Sequence, residues 1–471
     1  MIPSFIGVAI LGFAVMAQLG FRGRATVAGI DLGTTNSVVC VQAPAKGVGE
    51  IECIKDPSTG SPIIPSVVSF LEAWERSVGP SSKVPSLLDP HPSHVVVGQA
   101  AKRRIDSHPH HTLYNAKRIL GRPASDHAVG EMQKEVEFEI DEQDGAPVFR
   151  VTDSPHAITP KQVGSYVVNY LMQITKKVLG HDNVKSAVIC VPAKFNTEQR
   201  MATYQAFRDA GVNVARVVEE PTAAALAYGL HRKEGVDYIL VYDFGGGTLD
   251  VSLLHVSEGF VDVMGSDGDD RLGGADFDAA VAHFLLEHRG GNHIVNHVAA
   301  AFLQLTKDMP TDVDLEDKLS ASCPALETVP LCTSSSFHTL GEQLKIGLSA
   351  YPEHDGSVEA ACLRLPTDVS PESLSLETFC SSLVPTTLIL TSKEYDETVQ
   401  ELYDRSVLPI QRVLHDLDLS SDDIDEVVMV GGTTRMPQIR SIVRQALPTA
   451  AMNTRIDPDI TVAYGAASVI D

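Results

Sequence analysis

The sequence predicts an α/β protein built from two similar halves. Strand-like and helix-like stretches alternate in two blocks along the chain. Each block holds the same kind of turn, Asp31-Leu-Gly-Thr-Thr35 and Asp243-Phe-Gly-Gly-Gly-Thr248. Each turn follows a short apolar run, Thr26-Val-Ala-Gly-Ile30 and Tyr238-Ile-Leu-Val-Tyr242. A strand ending in Asp, a tight glycine turn and a second strand make a hairpin. Glycine lets backbone N–H groups approach an anion closely, and threonine hydroxyls add donors. Two such hairpins imply two half-molecules that face one nucleotide between them.

The first element is apolar. Phe5 to Leu19 carries almost no polar residue, and Val15-Met-Ala17 offers small side chains where a signal peptidase would cut. Residues 1–24 therefore read as a signal peptide or a short membrane anchor. The run is shorter than the ~20 residues of a comfortable span, and its flanking charges, Arg22 and Arg24, follow it. A packed N-terminal strand or helix is the competing reading, rejected because the first strand of the fold starts at Thr26.

In the first block, Ala187-Val-Ile-Cys-Val-Pro192 is a buried strand. A helix from Thr197 to Ala210 follows, with Thr197 as its N-cap and Gly211 as its stop. Then come the strand Val214–Val218 and the helix Pro221–Tyr228, closed by Gly229. In the second block, the hairpin at Asp243 precedes a helix from Ser406 to His415. A strand at Glu426–Val430, a glycine turn and a helix through Ile439 to Leu447 complete it. Two stretches rich in Pro and Ser, Trp74–His94 and Met309–Phe337, read as surface loops.

With 471 residues the chain can build two or more cores. A formal net charge of −24 excludes nucleic acid and an anionic membrane surface as partners, since both require basic patches. The seven cysteines form no CxxC pair, which argues against zinc. Cys190 ends an apolar run and belongs to a core. Cys323 and Cys332 share one irregular segment and could pair in an oxidising compartment, although spacing does not fix connectivity. His108, His110 and His111 lie in a polar loop with no carboxylate or Cys spaced to complete a metal site, and Asp422-Asp-Ile-Asp-Glu426 reads as a solvated turn.

A third glycine turn, Gly431-Gly-Thr-Thr-Arg-Met-Pro437, follows a strand and precedes a helix, which suits a ribose and α-phosphate. The three turns together resemble the signature of the actin-like ATPase superfamily. Five further runs narrow the resemblance: Asn115-Ala-Lys-Arg-Ile-Leu-Gly-Arg122, Val191-Pro-Ala-Lys-Phe-Asn196, Glu220-Pro-Thr-Ala-Ala-Ala-Leu-Ala-Tyr-Gly229, Leu272-Gly-Gly-Ala-Asp-Phe-Asp278 and Val462-Ala-Tyr-Gly-Ala-Ala467. From Val27 onward the chain resembles the nucleotide-binding domain of the 70-kDa heat-shock (stress-70) chaperones.

That resemblance implies an actin-like ATPase fold: two α/β lobes around a nucleotide cleft, each with a smaller subdomain. Residues 25–232 would form the first lobe, with a peripheral subdomain at about 66–158. Residues 233–471 would form the second, with one at about 273–394. It also implies ATP/ADP and Mg²⁺ as cofactors. Asp31, Asp243 and Asp250 would face hydrated Mg²⁺, which sheds its waters reluctantly. Lys117, Glu220, Asp243 and Thr248 would carry catalysis, with Lys117 stabilising charge at the γ-phosphate. Gly33, Thr34, Thr35, Gly245, Gly246, Gly247, Gly431 and Gly432 would line the phosphates. Arg435, Asp459 and one helix bearing Glu342, Lys345 and Ser349 would hold the adenosine. On that helix the family's arginine is replaced by Ile346, so the cation stacked on the base is lost and weaker nucleotide affinity is expected.

The resemblance further implies a slow ATPase that meets J-domain co-chaperones, with Arg216 at a matching position, and nucleotide exchange factors. The alternative is a non-hydrolysing, nucleotide-dependent adaptor for the same partners. A sugar or acetate kinase would need an acceptor pocket, for which no motif is present. The sequence offers no residues after Asp471 for a peptide-binding sandwich, so no direct clamp on unfolded peptide is expected within it. An apolar N-terminus before an ATPase core resembles the microsomal kind of family member. That places it in the endoplasmic reticulum, with membrane contact only through an uncleaved N-terminal segment.

Overall fold

The apolar run before Asp31 forms a buried strand, β1 (Val27–Leu32), in a computed structural model that describes residues 25–43, 50–71, 94–105, 108–151, 157–306, 323, 326, 329–350, 356–371 and 374–469. The Phe5–Leu19 segment and most of the Trp74–His94 and Met309–Phe337 stretches lie outside the described residues. Strand β1 runs antiparallel to β2 (Asn36–Gln42), and β2 to β3 (Ile51–Cys53). On its other edge β1 runs parallel to β4 (Ser186–Val191), and β4 to β5 (Asn213–Glu219).

The second half repeats this pattern strand for strand. β6 (Tyr238–Phe244) runs antiparallel to β7 (Leu249–Ser257), and β7 to β8 (Phe260–Asp269). On its other edge β6 runs parallel to β9 (Glu426–Val430), and β9 to β10 (Ala451–Asn453). The orders β5-β4-β1-β2-β3 and β10-β9-β6-β7-β8 are the same topology. The expected duplication and α/β class are present. Both glycine turns join the first two strands of their sheet.

The helices on and around these sheets are α1 (His127–Glu135), α2 (Pro160–Leu179), α3 (Thr197–Asp209), α4 (Glu220–Ala227), α5 (Gly274–His288), α6 (Ser334–Ala350), α7 (Ser392–Asp416), α8 (Pro437–Ala446) and α9 (Thr461–Ser468). Several differ from the sequence expectation for identifiable reasons. Thr197 is the first residue of α3 and not its cap. Asn196 takes that place, because its side chain accepts the Gln199 N–H at 2.9 Å while Gln199 accepts the Asn196 N–H at 3.1 Å. Helix α7 starts at Ser392, well before the expected Ser406, behind a reciprocal Thr391/Glu394 cap. Helix α6 takes in Ser334–Phe337, which the sequence placed in a loop.

The cysteines also correct the sequence. Cys323 does not pair with Cys332; the disulfides are Cys323–Cys380, Cys332–Cys362 and Cys40–Cys53. The Cys332 N–H bonds to the Leu363 carbonyl at 2.9 Å, which brings it beside Cys362. Cys323 packs in a separate cluster with Phe379 and Cys380. Cys190 is buried and free, as expected of a core residue. The Asp422–Glu426 run is only partly a solvated turn. Asp425 accepts the backbone N–H groups of Asp237 and Tyr238 at 2.8 and 2.9 Å, and Glu426 is buried and paired with Lys233.

Each sheet has its own core, and a third core joins them. Val188, Ala223, Ala224, Ile239, Val428, Val462 and Ala466 form it, so α4 and α9 lie between the sheets. Their contact is backbone on backbone. A Cβ built on Gly465 would fall 1.8 Å from the Ala223 carbonyl oxygen, and one on Gly29 would fall 2.2 Å from the Ala467 nitrogen. In an open helix Gly→Ala stabilises by up to about 1 kcal/mol. Here the sign reverses: Gly465→Ala should cost roughly 1–3 kcal/mol or more through overpacking. A urea unfolding midpoint equal to or above the wild type would show that the helices do not pack this closely.

Candidate active site

The two hairpins meet at the mouth of the molecule. A Cβ on Gly246 would sit 2.7 Å from Thr35 Oγ1, so the second turn closes against the first. One on Gly33 would strike the Asn36 carbonyl at 2.1 Å. The third turn leaves β9 at Gly431, where φ is +81° and a Cβ would lie 2.4 Å from the Phe244 carbonyl. Only glycine fits that backbone. Thr433 Oγ1 then donates to the Gly245 carbonyl at 2.9 Å and ties the third turn to the second.

Between these turns lies a cavity of about 490 Å³. Its wall brings together Asp31, Gly33, Thr34 and Thr35 from the first hairpin, and Asp243, Gly245, Gly246, Gly247, Thr248 and Asp250 from the second. Gly431, Gly432 and Asp459 close one side, and Lys117 and Glu220 lie at its base. A single volume thus unites residues from both halves.

Lys117 follows Asn115, which adopts a left-handed φ of 57°. Glu220 is the first residue of α4. The Lys117 Nζ donates to Glu220 Oε1 at 2.7 Å, with both side chains largely buried. Burial works against the Lys117 charge, but attraction to Glu220 outweighs it, joined by Asp31 and Asp243, and its pKa rises. Burial pushes Glu220 up to about 7, with Lys117 pulling it back only in part. Burial raises Asp31 and carries Asp243 well above its ordinary value; Asp243 is pushed further by Glu220 and Asp250. It also raises Asp250, which pairs across the hairpin with Asp243 and meets Lys194 at 3.1 Å.

Four carboxylates, Asp31, Glu220, Asp243 and Asp250, therefore face two ammonium groups. Fully ionised, they carry two uncompensated negative charges, which a divalent cation would neutralise. Among the described residues no three potential ligands converge closely enough to bind one ion directly. The all-oxygen set still fits Mg²⁺ held through its own waters and a ligand's phosphates. When bound, such an ion would supply charge neutralisation at those phosphates.

The adenosine-side residues divide. Arg435 bonds Asp459 at 2.8 Å and also pairs with Asp457, so it fixes Asp459 without itself lining the cavity. The side chains on α6 stand outside the cavity wall. Lys345 is engaged by Asp278 at 2.7 Å and the Gly274 carbonyl at 3.1 Å, Glu342 meets Lys102 at 3.6 Å, and Ser349 bonds the Lys345 carbonyl at 2.9 Å. Ile346 is exposed. Sequence reasoning missed the cavity cations Arg118, Arg122, Lys194 and Arg271. The first three sit inside runs it had singled out, Asn115–Arg122 and Val191–Asn196, and Arg118 is next to Lys117, which drew the attention.

Because the buried carboxylates have raised pKa values, the folded state holds extra protons. The associated stability is complete below the ordinary carboxylate range and is lost as pH rises through about 7, the value reached by Glu220. Asp243→Asn removes one of these charges. At pH 8 it should raise the unfolding free energy of the ligand-free protein by roughly 0.5–2 kcal/mol, and by less at pH 5. A variant less stable than wild type at pH 8 would contradict this electrostatic description.

Residues 27–91, 81–307 and 351–470 match the family model for the Hsp70 protein. The matched stretches contain all three glycine turns, Lys117 and Glu220, and they leave out 308–350, where α6 lies. Members of that family have the actin-like fold, are ATPases that bind ATP/ADP with Mg²⁺, and work as chaperones with co-chaperone partners. The matches cover most of the chain, which belongs to the Hsp70 family.

Proposed function

We propose that this chain binds ATP with Mg²⁺ in the cleft between its two sheets and hydrolyses it slowly, as a stress-70-type ATPase core of the secretory pathway. The observation that carries the chemistry is the Lys117–Glu220 pair, 2.7 Å apart at the base of the cavity and flanked by Asp31 and Asp243. The glycine turns offer backbone N–H donors to phosphate oxygens. Lys117, held charged, meets the negative charge that develops on the transferred phosphoryl group. Glu220, with a pKa near the working pH, orients a water and takes its proton. The Asp459–Arg435 pair supports the ribose side. Turnover is slow in this account because the base is half occupied by its own lysine partner.

Location in the endoplasmic reticulum draws support from the disulfides. Six of the seven cysteines are joined, and such bonds persist in oxidising compartments. The apolar Phe5–Leu19 run points the same way. Arg216 lies exposed on the edge strand β5, a position open to a J-domain partner. This combination agrees with the microsomal kind of family member.

Two measurements test these proposals. Lys117→Ala should leave ATP binding largely intact and lower single-turnover hydrolysis at least tenfold, about 1.4 kcal/mol or more of transition-state stabilisation. Equal hydrolysis by both proteins would remove Lys117 from catalysis, and no turnover by the wild type would leave the adaptor reading. In sealed microsomes the chain should resist added protease and yield the Cys323–Cys380 and Cys332–Cys362 peptides under non-reducing conditions. Full sensitivity, or reduced cysteines, would place it elsewhere.

A further inference from the structure

Lys194 belongs to the first half of the molecule and meets the second half inside the cleft. It stands on the loop between β4 and α3, and that loop is held on both sides of it. Arg200 donates through Nε to the Phe195 carbonyl at 2.8 Å and through Nη2 to the Ala193 carbonyl at 2.9 Å. Glu219 anchors the same guanidinium at 2.7 Å. The Lys194 side chain therefore leaves a fixed backbone. Its Nζ lies 3.1 Å from Asp250 Oδ1 on β7. A Cβ built on Gly268 would fall 2.5 Å from that Nζ, so the ammonium rests on the bare backbone of β8. Lys194 also shares a small recess with Glu220, Asp243 and Asp250, which sets its charge among the cleft carboxylates.

An ammonium in that place acts in opposite ways on the two components of a metal nucleotide. It repels a divalent cation that approaches the Asp243–Asp250 pair, and it takes up one oxygen of a carboxylate that would face the cation's water shell. It attracts a polyphosphate, whose charge has the other sign. Lys117 is placed differently. Its side chain is only 10% exposed and is engaged by Glu220 at 2.7 Å, whereas the Lys194 side chain is 34% exposed and has room to swing on its four-carbon stem.

We infer that Lys194 is a positioning residue for the metal: it guards Asp250 in the ligand-free cleft, so that a divalent cation enters with a nucleotide's phosphates and not alone. Arriving phosphates draw the Lys194 ammonium off Asp250 and leave that carboxylate to the cation's waters. The nucleotide half of this inference rests on the ATPase proposal. The exclusion of the bare cation does not, because it follows from the Lys194–Asp250 pair itself.

Mn²⁺ suits the same carboxylate and water ligands as Mg²⁺ and is counted directly by electron paramagnetic resonance. Titrated into the full chain without nucleotide, it should bind the wild type weakly. Lys194→Met and Lys194→Gln, which remove the charge and keep most of the stem, should bind it about tenfold more tightly or better. Lys194→Arg should behave as wild type, and adding Asp250→Asn to Lys194→Met should cancel the gain. Metal-free ADP, titrated calorimetrically in the presence of EDTA, should move the other way and bind Lys194→Met about tenfold more weakly. The opposite signs set this role apart from a merely structural link between the halves, whose loss would weaken both ligands or neither. Mn²⁺ affinity unchanged or lowered in the neutral variants, a gain that survives Asp250→Asn, or metal-free ADP held as tightly by Lys194→Met as by wild type would each overturn the inference. Failure of the ATPase proposal would show separately, as a wild type that binds no ADP with or without Mg²⁺; the Mn²⁺ comparison decides the role of Lys194 even then.

Discussion

The contact of α4 with α9 is the constraint from which the site follows. Gly465 lies against the Ala223 carbonyl and Gly29 against the Ala463–Ala467 turn, so two helices are pressed between two sheets with no side chain between the backbones. This closeness fixes the distance between the duplicated halves. It also places Glu220, the first residue of α4, beneath the first hairpin and within 2.7 Å of Lys117. Packing and chemistry are thus coupled through one helix. Its apolar face, with Ala223, Ala224 and Ala225, joins the core between the sheets, and its N-terminus enters the cleft.

The electrostatics of the cleft run against stability. Asp31, Asp243, Asp250 and Glu220 are gathered where burial resists their ionisation, with Lys117 and Lys194 opposing them. A protein optimised for stability alone would not assemble this cluster. It makes sense where a cation and a polyphosphate are the missing partners. The fold meets the cost with two large apolar cores and a third shared between the lobes.

Much of this was legible in the sequence. The β6–β7 hairpin and β9 stand where the apolar runs and glycine turns place them, because a strand ending in Asp followed by a glycine turn has few alternatives. The cavity residues of the three turns were legible for the same reason. Helix α7 was half hidden. Its first half, Ser392–Arg405, is so rich in charge that the buried stripe Tyr395, Val399 and Tyr403 is easily passed over. Disulfide connectivity was not legible at all, since Cys332 finds Cys362 through a long-range backbone pairing at Leu363. The α6 side chains are a different case. Glu342, Lys345 and Ser349 keep the expected spacing, yet their contacts are with Lys102, Asp278 and their own helix.

Proton exchange on nucleotide binding tests the central claim, that a buried carboxylate cluster awaits Mg²⁺ and phosphate between the two sheets. Calorimetric titration of MgADP into the protein at pH 7, repeated in buffers of different ionisation enthalpy, gives the number of protons exchanged. The account predicts net release, because the cation draws Glu220 and its neighbours back towards their ionised forms. Binding with no proton exchange, or with net uptake, would contradict it.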